Sequence, residues 1–388
     1  MFRNCTSLTE FEVGEWVTDM SSWSMFDGCT NLKTIIAHPS TAPTIRSDTF
    51  RGIAEDGTLI YPTGSDYSSW LSTDAYYLGY YGWNDIEGGG GNEDEGDDEE
   101  NNDYFWVKLE EDGEINVNGG RKIQYSYDRE NWYSNTSNGS ITAPANTYVW
   151  LKNTSNVWYN AYYYGEDFVF SKKASIGGNL SSLGDMREKN FKSLFNKNKN
   201  LTDASQLILP WDVLEFECFS YMFADCTSLV NAPSIIPAEK AGRWSCNDMF
   251  KGCTSLVNSP ALPATTIEDS CYKEMFKDCT SLGTPPTLPA TTLATDCYYS
   301  MFRGCESLIT APSLPATELK NSCYMRMFYG CTNLSMVECH AENISAEDCL
   351  RVWLENVSPT GTFIKKQGVT YPSGVDGIPR GWTIQNIA

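Results

Sequence analysis

The residues able to do chemistry are few in kind and regular in spacing. The chain of 388 residues holds 14 Cys but only two His, His38 and His340. The string Met-Phe-x-x-Cys begins at Met1, Met25, Met222, Met249, Met275, Met301 and Met327. A second Cys precedes the last five, at Cys218, Cys246, Cys271, Cys297 and Cys323. Paired thiols suggest zinc, but a structural zinc site needs four convergent ligands, with its Cys close together in sequence. Here the pairs are mostly eight residues apart and recur in every copy, so no set of four is singled out. Equivalent Cys of neighbouring copies come within disulfide reach only at about 5 Å. Cys is also among the most buried residue types. Standing beside Met and Phe, these Cys are expected to form a ladder of buried, reduced thiols.

Nucleophilic and hydrolytic chemistry finds no support. A Cys–His pair needs a base oriented by a third group. His340 directly follows Cys339, and neighbours in a strand point to opposite faces. There is no Gly-x-Ser-x-Gly, His-Glu-x-x-His or phosphate-binding loop. The 50 Asp and Glu contain acidic pairs of the kind glycosidases use, but most are read as solvated surface. No catalytic residue, cofactor site or metal ligand is assigned, no cofactor is expected, and the chain is expected not to be an enzyme. The one candidate ligand-binding segment outside the repeats is VWYNAYYYG, residues 157–165. As a strand it puts Trp158, Tyr162 and Tyr164 on one face and Tyr159 and Tyr163 on the other. That face is either an aromatic platform for sugar or protein, or a cover over the neighbouring core.

The elements that carry the Cys are internal repeats. The last five Met positions are 27, 26, 26 and 26 residues apart, with a degenerate copy at Leu194-Phe195. Cys271, Met275, Phe276 and Cys279 fall at i, i+4, i+5 and i+8, the spacing of one helix face. Ser270 or Asp269 stands where an N-cap belongs, and Gly252, Gly304 and Gly330 where a helix ends. A short strand is expected next, with Leu256, Leu282 and Leu308 inward, and then a corner at paired prolines such as Pro260 and Pro263. One copy buries about six apolar side chains, on the order of 10–15 kcal/mol. Fixing its backbone costs roughly 25–50 kcal/mol. A lone repeat therefore cannot fold, and the copies must stack as a solenoid in which each leans on its neighbours.

The pattern Cys-Tyr-x-x-Met-Phe-x-Gly-Cys-x-Ser-Leu, followed by Ala-Pro-x-Leu-Pro-Ala-Thr, resembles the BspA-like leucine-rich repeats of Bacteroidetes surface proteins. The resemblance covers residues 1–85 and 174–388. It implies an α/β solenoid of short helices and strands, export to the cell surface, and adhesion or binding to host matrix proteins.

The organisation expected is a repeat solenoid with a C-terminal cap (1–85), a linker (86–103), a β-sandwich (104–173) and a second, capped solenoid (174–388). The linker holds four consecutive Gly and nine carboxylates, which cannot bury a core. It lacks the spaced Asp pattern of a calcium loop. YFWVKL, EINVNG, KIQYSY, YVWLKN and DFVFSK are short, aromatic and β-branched, and read as an immunoglobulin-like sandwich with a hairpin across Asp128–Asn131. GTLIYPTGSDYSSW (57–70) and GTFIKKQGVTYPSG (361–374) read as caps. Met1 is already the Met of a repeat, so the chain is expected to be a fragment, with any signal or lipid anchor upstream or removed. The net charge of −22 opposes nucleic acid and anionic membrane surfaces, and no run of about 18 apolar residues exists to span a membrane. The expected role is a monomeric surface or extracellular adhesion module whose partners are host or microbial macromolecules, protein or glycan. A structural spacer of a cell envelope or phage particle, or a carbohydrate-binding accessory, are the alternatives.

Overall fold

A computed structural model of the chain describes residues 2–13, 17–21, 24–37, 39, 41–55, 57–61, 66–81, 83–87, 103–118, 122–135, 139–154 and 167–387. The chain divides into two compact units, Met1–Gly96 and Asp97–Ala388.

In the first unit β1 (Glu10–Val13), β2 (Thr34–Ala37), β3 (Thr58–Tyr61) and β4 (Asn84–Glu87) form a parallel sheet in chain order. Each strand belongs to one coil, and equivalent apolar residues such as Ile35 and Leu59 pair in register and are buried. Opposite the strands, Phe2, Phe26 and Phe50 stack nearly parallel, with ring centroids 5.6 and 5.9 Å apart.

The second unit opens with two sheets. The strands are β5 (Phe105–Leu109), β6 (Gly113–Val117), β7 (Ile123–Ser126), β8 (Tyr133–Ser134), β9 (Gly139–Ala143), β10 (Tyr148–Asn153), β11 (Phe168–Phe170), β12 (Ala174–Asn179) and β13 (Leu201–Ile208). One sheet runs β13-β12-β5-β10-β7-β8 and the other β11-β6-β9. Alternation decides the faces: Phe105, Val107 and Leu109 point into the core, Trp106 and Lys108 to the far side. The hairpin β7–β8 turns at Asp128, whose carboxylate is held well below the usual range first by the Asn131 side-chain amide that donates to it and then by the backbone N–H groups of Asn131 and Glu130. β12 pairs antiparallel with β5 and parallel with β13, so the sheet passes into the repeats, and one core runs from Phe105 to Trp382.

The repeats are a mostly β solenoid. Their strands are short: β14 (Val213–Leu214), β15 (Lys240–Ala241) and β16 (Thr266–Ile267), with single bridges such as Asn231–Asn258–Thr284. The prolines between them supply no N–H and cut the ladder. Longer strands return where proline is absent, in β17 (Met336–Cys339), β18 (Thr362–Lys366) and β19 (Thr383–Ile387).

The α/β expectation is corrected here. No α-helix forms among the described residues; the Cys-x-x-x-Met-Phe segments are stacked turns. A left-handed residue recurs every fourth position: Ser270, Glu274 and Asp278 at φ 56°, 55° and 60°, and Asp296, Ser300 and Gly304 at 55°, 52° and 75°. Alternate N–H groups then divide the work. Met275 and Lys277 donate within their own coil, to Tyr272 and Glu274. Tyr272, Glu274, Phe276 and Asp278 donate to Cys297, Tyr299, Met301 and Arg303 of the next coil at 2.7–3.1 Å. The physical reason is spacing. A helix with side chains is about 10–12 Å across, whereas Phe223, Phe250, Phe276, Phe302 and Phe328 stack in one column at 5.2, 5.6, 5.7 and 5.7 Å. Coils that close leave no room for helices. They do bring N–H and C=O of adjacent coils within bonding distance.

Gly304 shows how tightly the turns are specified. Its φ is +75°, and a Cβ there would sit 2.6 Å from Asp278 Oδ1 of the preceding coil. Gly304→Ala is expected to cost about 1–3 kcal/mol in chemical denaturation. Gly330→Asn, at φ +76° with its nearest neighbours 3.9 Å away, should cost clearly less, since Asn tolerates this region.

Both units end alike. A Trp just before the last strand lies on a glycine and donates to the carbonyl three residues ahead of it: Trp83 over Gly57 to Ala54 O, and Trp382 over Gly361 to Ser358 O, each at 2.8 Å. In the second unit Asp376 also accepts from the Val352 N–H, at 2.6 Å, a donor that a further coil would otherwise satisfy. At the other end of these repeats, Phe168 N–H donates to Leu194 O, and Asn198 and Asn200 donate to Phe168 O and Phe170 O.

Candidate binding surface

The thiols are structural. Among the described residues all 14 Cys are reduced, and every one but Cys5 is buried. Cys253, Cys279, Cys305 and Cys331 each donate Sγ–H to the carbonyl of a Phe one coil back, Phe223, Phe250, Phe276 and Phe302, at 3.0–3.1 Å. The same carbonyls accept the N–H that closes their own turn, so the thiol fills the second lone pair. Burial pushes the Cys246, Cys297 and Cys331 thiols up to about 12. A thiol held that far from its thiolate, and out of solvent, is neither nucleophile nor metal ligand. No group of three or more His, Cys, Asp or Glu side chains suited to a metal ion occurs among the described residues.

His340 and Cys339 are placed on opposite sides of their strand. Cys339 is buried, while His340 Nε2 lies 2.7 Å from Glu338 at the surface. His38 lies outside the described residues, as do Trp158, Tyr162 and Tyr164, the expected ligand-binding face.

One group of carboxylates converges. Lys251 Nζ lies 2.9 Å from Asp248 and 3.5 Å from Glu274, and Lys277 lies 2.8 Å from Glu274. Asn247 donates to the other oxygen of Asp248 at 2.8 Å. Burial pushes the Asp248 carboxyl up. Burial opposes ionisation of Glu274 too, but the hydrogen bond and charge of Lys277, with Lys251, hold it below its ordinary value. Carboxyls pushed apart in this way can serve as acid and base. Here the Asp248 side chain is only 6% exposed, so the network ties neighbouring coils together rather than meeting a substrate.

What meets solvent is surface in columns. On the far side of the six-stranded sheet, Tyr148 and Trp150 are partly exposed and stacked at 5.6 Å, with the buried Trp106 beside Tyr148. Lys108 stands 4.9 Å over Tyr148, and Lys152 3.6 Å over Trp132. On the turn side of the repeats, Lys273 lies between two rings from the coils before and after it, Trp244 at 5.2 Å and Tyr299 at 4.6 Å. Arg303 lies 5.2 Å over Tyr329 of the next coil. Sequence inspection alone does not show the groupings on the turn side, because their members belong to different copies. The signal that finds them is coil register.

The family model of the BspA type leucine rich repeat region matches residues 1–64 and 246–357, in six copies. The chain carries BspA-type leucine-rich repeats. A second family model, described as a Mycoplasma protein of unknown function, DUF285, matches residues 166–263. No curated protein and no solved structure matches the chain. The BspA-type stretch 246–357 holds both the Phe column and the Lys251 network. The second model spans β11 through the coil of Phe250, where the six-stranded sheet passes into the repeats. No helix among the described residues is long and apolar enough to cross a membrane.

Proposed function

We propose that the chain is a non-enzymatic adhesion module of a cell surface, which displays repeat faces to proteins of a host or of neighbouring microbes. The BspA-type repeats support a protein-binding role. The observation that carries the reading is the division of side chains within each coil. Groups with reactive chemistry are buried, with Cys271, Cys279 and Tyr272 at 0–2% exposure, while Lys273, Tyr299 and Met325, aligned on successive coils, reach the surface. Such a surface suits a large partner better than a small substrate. The architecture proposed with it is two leucine-rich-repeat arrays, 1–85 and 174–388, with the acidic linker 86–103 and an immunoglobulin-like sandwich, 104–173, between them. Intact chain on an array of extracellular-matrix proteins should bind some of them saturably. Absence of binding to every protein on the array would leave the structural-spacer role instead.

The partly exposed stack of Tyr148 and Trp150 supports a second reading, glycan binding, with Trp158, Tyr162 and Tyr164 as further contacts. Glycan-array signals lost on Trp158→Ala and Trp150→Ala would favour it. An empty glycan array removes it.

A further inference from the structure

We infer that the turn face of the coils carrying Lys273, Tyr299, Arg303, Met325, Arg326 and Tyr329 is a docking surface for a short acidic peptide segment of a partner protein. The inference rests on the protein-binding role proposed above and gives it a location.

The chain carries −22 net charge, and several cations on the same turn face are matched: Lys251 and Lys277 face Asp248 and Glu274, and Arg351 faces Asp348. Lys273, Arg303 and Arg326 differ. Among the described residues no carboxylate forms an ion pair with any of them, although they stand on three consecutive coils. Two of them are held in place by rings: Lys273 by Trp244 and Tyr299, Arg303 by Tyr329. Such cations are pre-ordered, so less side-chain entropy is lost when a partner arrives.

Register makes the face continuous. Ser300 N–H donates to Met325 O, and Gly304 N–H to Tyr329 O, so the two coils lie side by side along their length. Tyr299 therefore neighbours Met325, Ser300 neighbours Arg326, and Arg303 neighbours Tyr329. All six side chains that define the surface are partly exposed. Arg, Tyr and Met are the residue types enriched where protein interfaces concentrate their energy.

The same features argue against a long polyanion. A nucleic acid or sulfated glycan extends well beyond this face and meets the field of the whole chain, which is strongly negative. A short segment feels mainly charges within a Debye length, about 8 Å at physiological ionic strength. At the 5.7 Å spacing of the Phe rings, the coils of Lys273 and of Arg326 each lie within that range of the coil of Arg303. Guanidinium groups also match carboxylates bidentately, and the apolar body of Met325 beside Arg326 suits a peptide side chain.

The test is fluorescence titration of the intact chain with short synthetic peptides in which Glu alternates with Leu and Ser, against the same peptides with Gln in place of Glu, and against heparin. The Glu peptide should bind at least about tenfold more tightly than the Gln peptide at low salt, and the difference should shrink as salt rises. Arg303→Ala with Arg326→Ala should abolish the preference with an unchanged melting transition, whereas Arg303→Lys with Arg326→Lys should keep part of it. Equal binding of the two peptides, a preference that survives the Ala pair, or tighter binding of heparin than of the Glu peptide would each overturn the inference. A matrix protein whose binding survives the Ala pair removes this location and spares the broader protein-binding role.

Discussion

Phe276→Ala is expected to lower the stability of the second unit by about 3–5 kcal/mol, at the top of the range for a buried aromatic. Phe276 is fully buried and stacks on Phe250 at 5.6 Å and Phe302 at 5.7 Å, with interplanar angles of 5° and 9°. Removing the ring opens a cavity between two coils that cannot collapse, because the hydrogen bonds from Phe276 N to Met301 O and from Phe250 N to Met275 O fix their separation. Stability in a solenoid is a sum of nearest-neighbour terms, so a break in mid-array also separates the coils on either side. Urea unfolding of the variant should show the loss together with a broader transition or two transitions. A cost below about 1 kcal/mol would mean that the column is not the core.

The second expectation concerns alkaline pH. An unfolded Cys ionises near pH 8.5, while burial holds the Cys246, Cys297 and Cys331 thiols up at about 12. Their folded pKa values are raised, so their contribution to stability is complete below the unfolded value and is lost as pH rises through the window from about 8.5 to 12. Each thiol contributes a slope of up to about 1.4 kcal/mol per pH unit across most of that window. These three alone give roughly 4 kcal/mol per unit, and burial also raises the Cys218, Cys253, Cys271 and Cys305 thiols well above their ordinary value. The second unit should therefore unfold cooperatively on moderate alkalinisation. At neutral pH, a thiol reagent should label only the partly exposed Cys5 rapidly in native protein and all 14 Cys after denaturation. Stability that stays flat to about pH 10, or rapid labelling of native thiols other than Cys5, would contradict the account.

Much of this was readable beforehand, and the misreading is instructive. Met-Phe at a constant interval locates the Phe column, and Cys beside Met and Phe locates the buried thiols. The helix expectation came from inward residues at i, i+4, i+5 and i+8. A turn that resets every four residues gives the same spacing, so periodicity cannot separate the two. Gly, Asp and Ser at 304, 278 and 270 tolerate left-handed φ and were visible. Glu274, Arg326 and Val352 occupy the same conformation at φ 55°, 54° and 57°, and nothing in their type announces it. Inter-coil hydrogen bonding overrides their local preference. The caps were half legible: Gly-Thr marks the penultimate strand in both units, but the Trp that seals it lies 26 residues on at Trp83 and 21 at Trp382. The docking face was not legible, because Arg303 and Tyr329 meet only through register.

The central claim is that these segments are turns bonded to the next coil rather than helices closed on themselves. Scalar coupling across hydrogen bonds, measured by nuclear magnetic resonance on isotopically labelled protein, reads this directly at one amide. The Phe276 N–H should couple to the carbonyl carbon of Met301, to whose oxygen it donates at 2.9 Å. Coupling to the carbonyl carbon of Tyr272 instead, the partner that an α-helix requires, would contradict it.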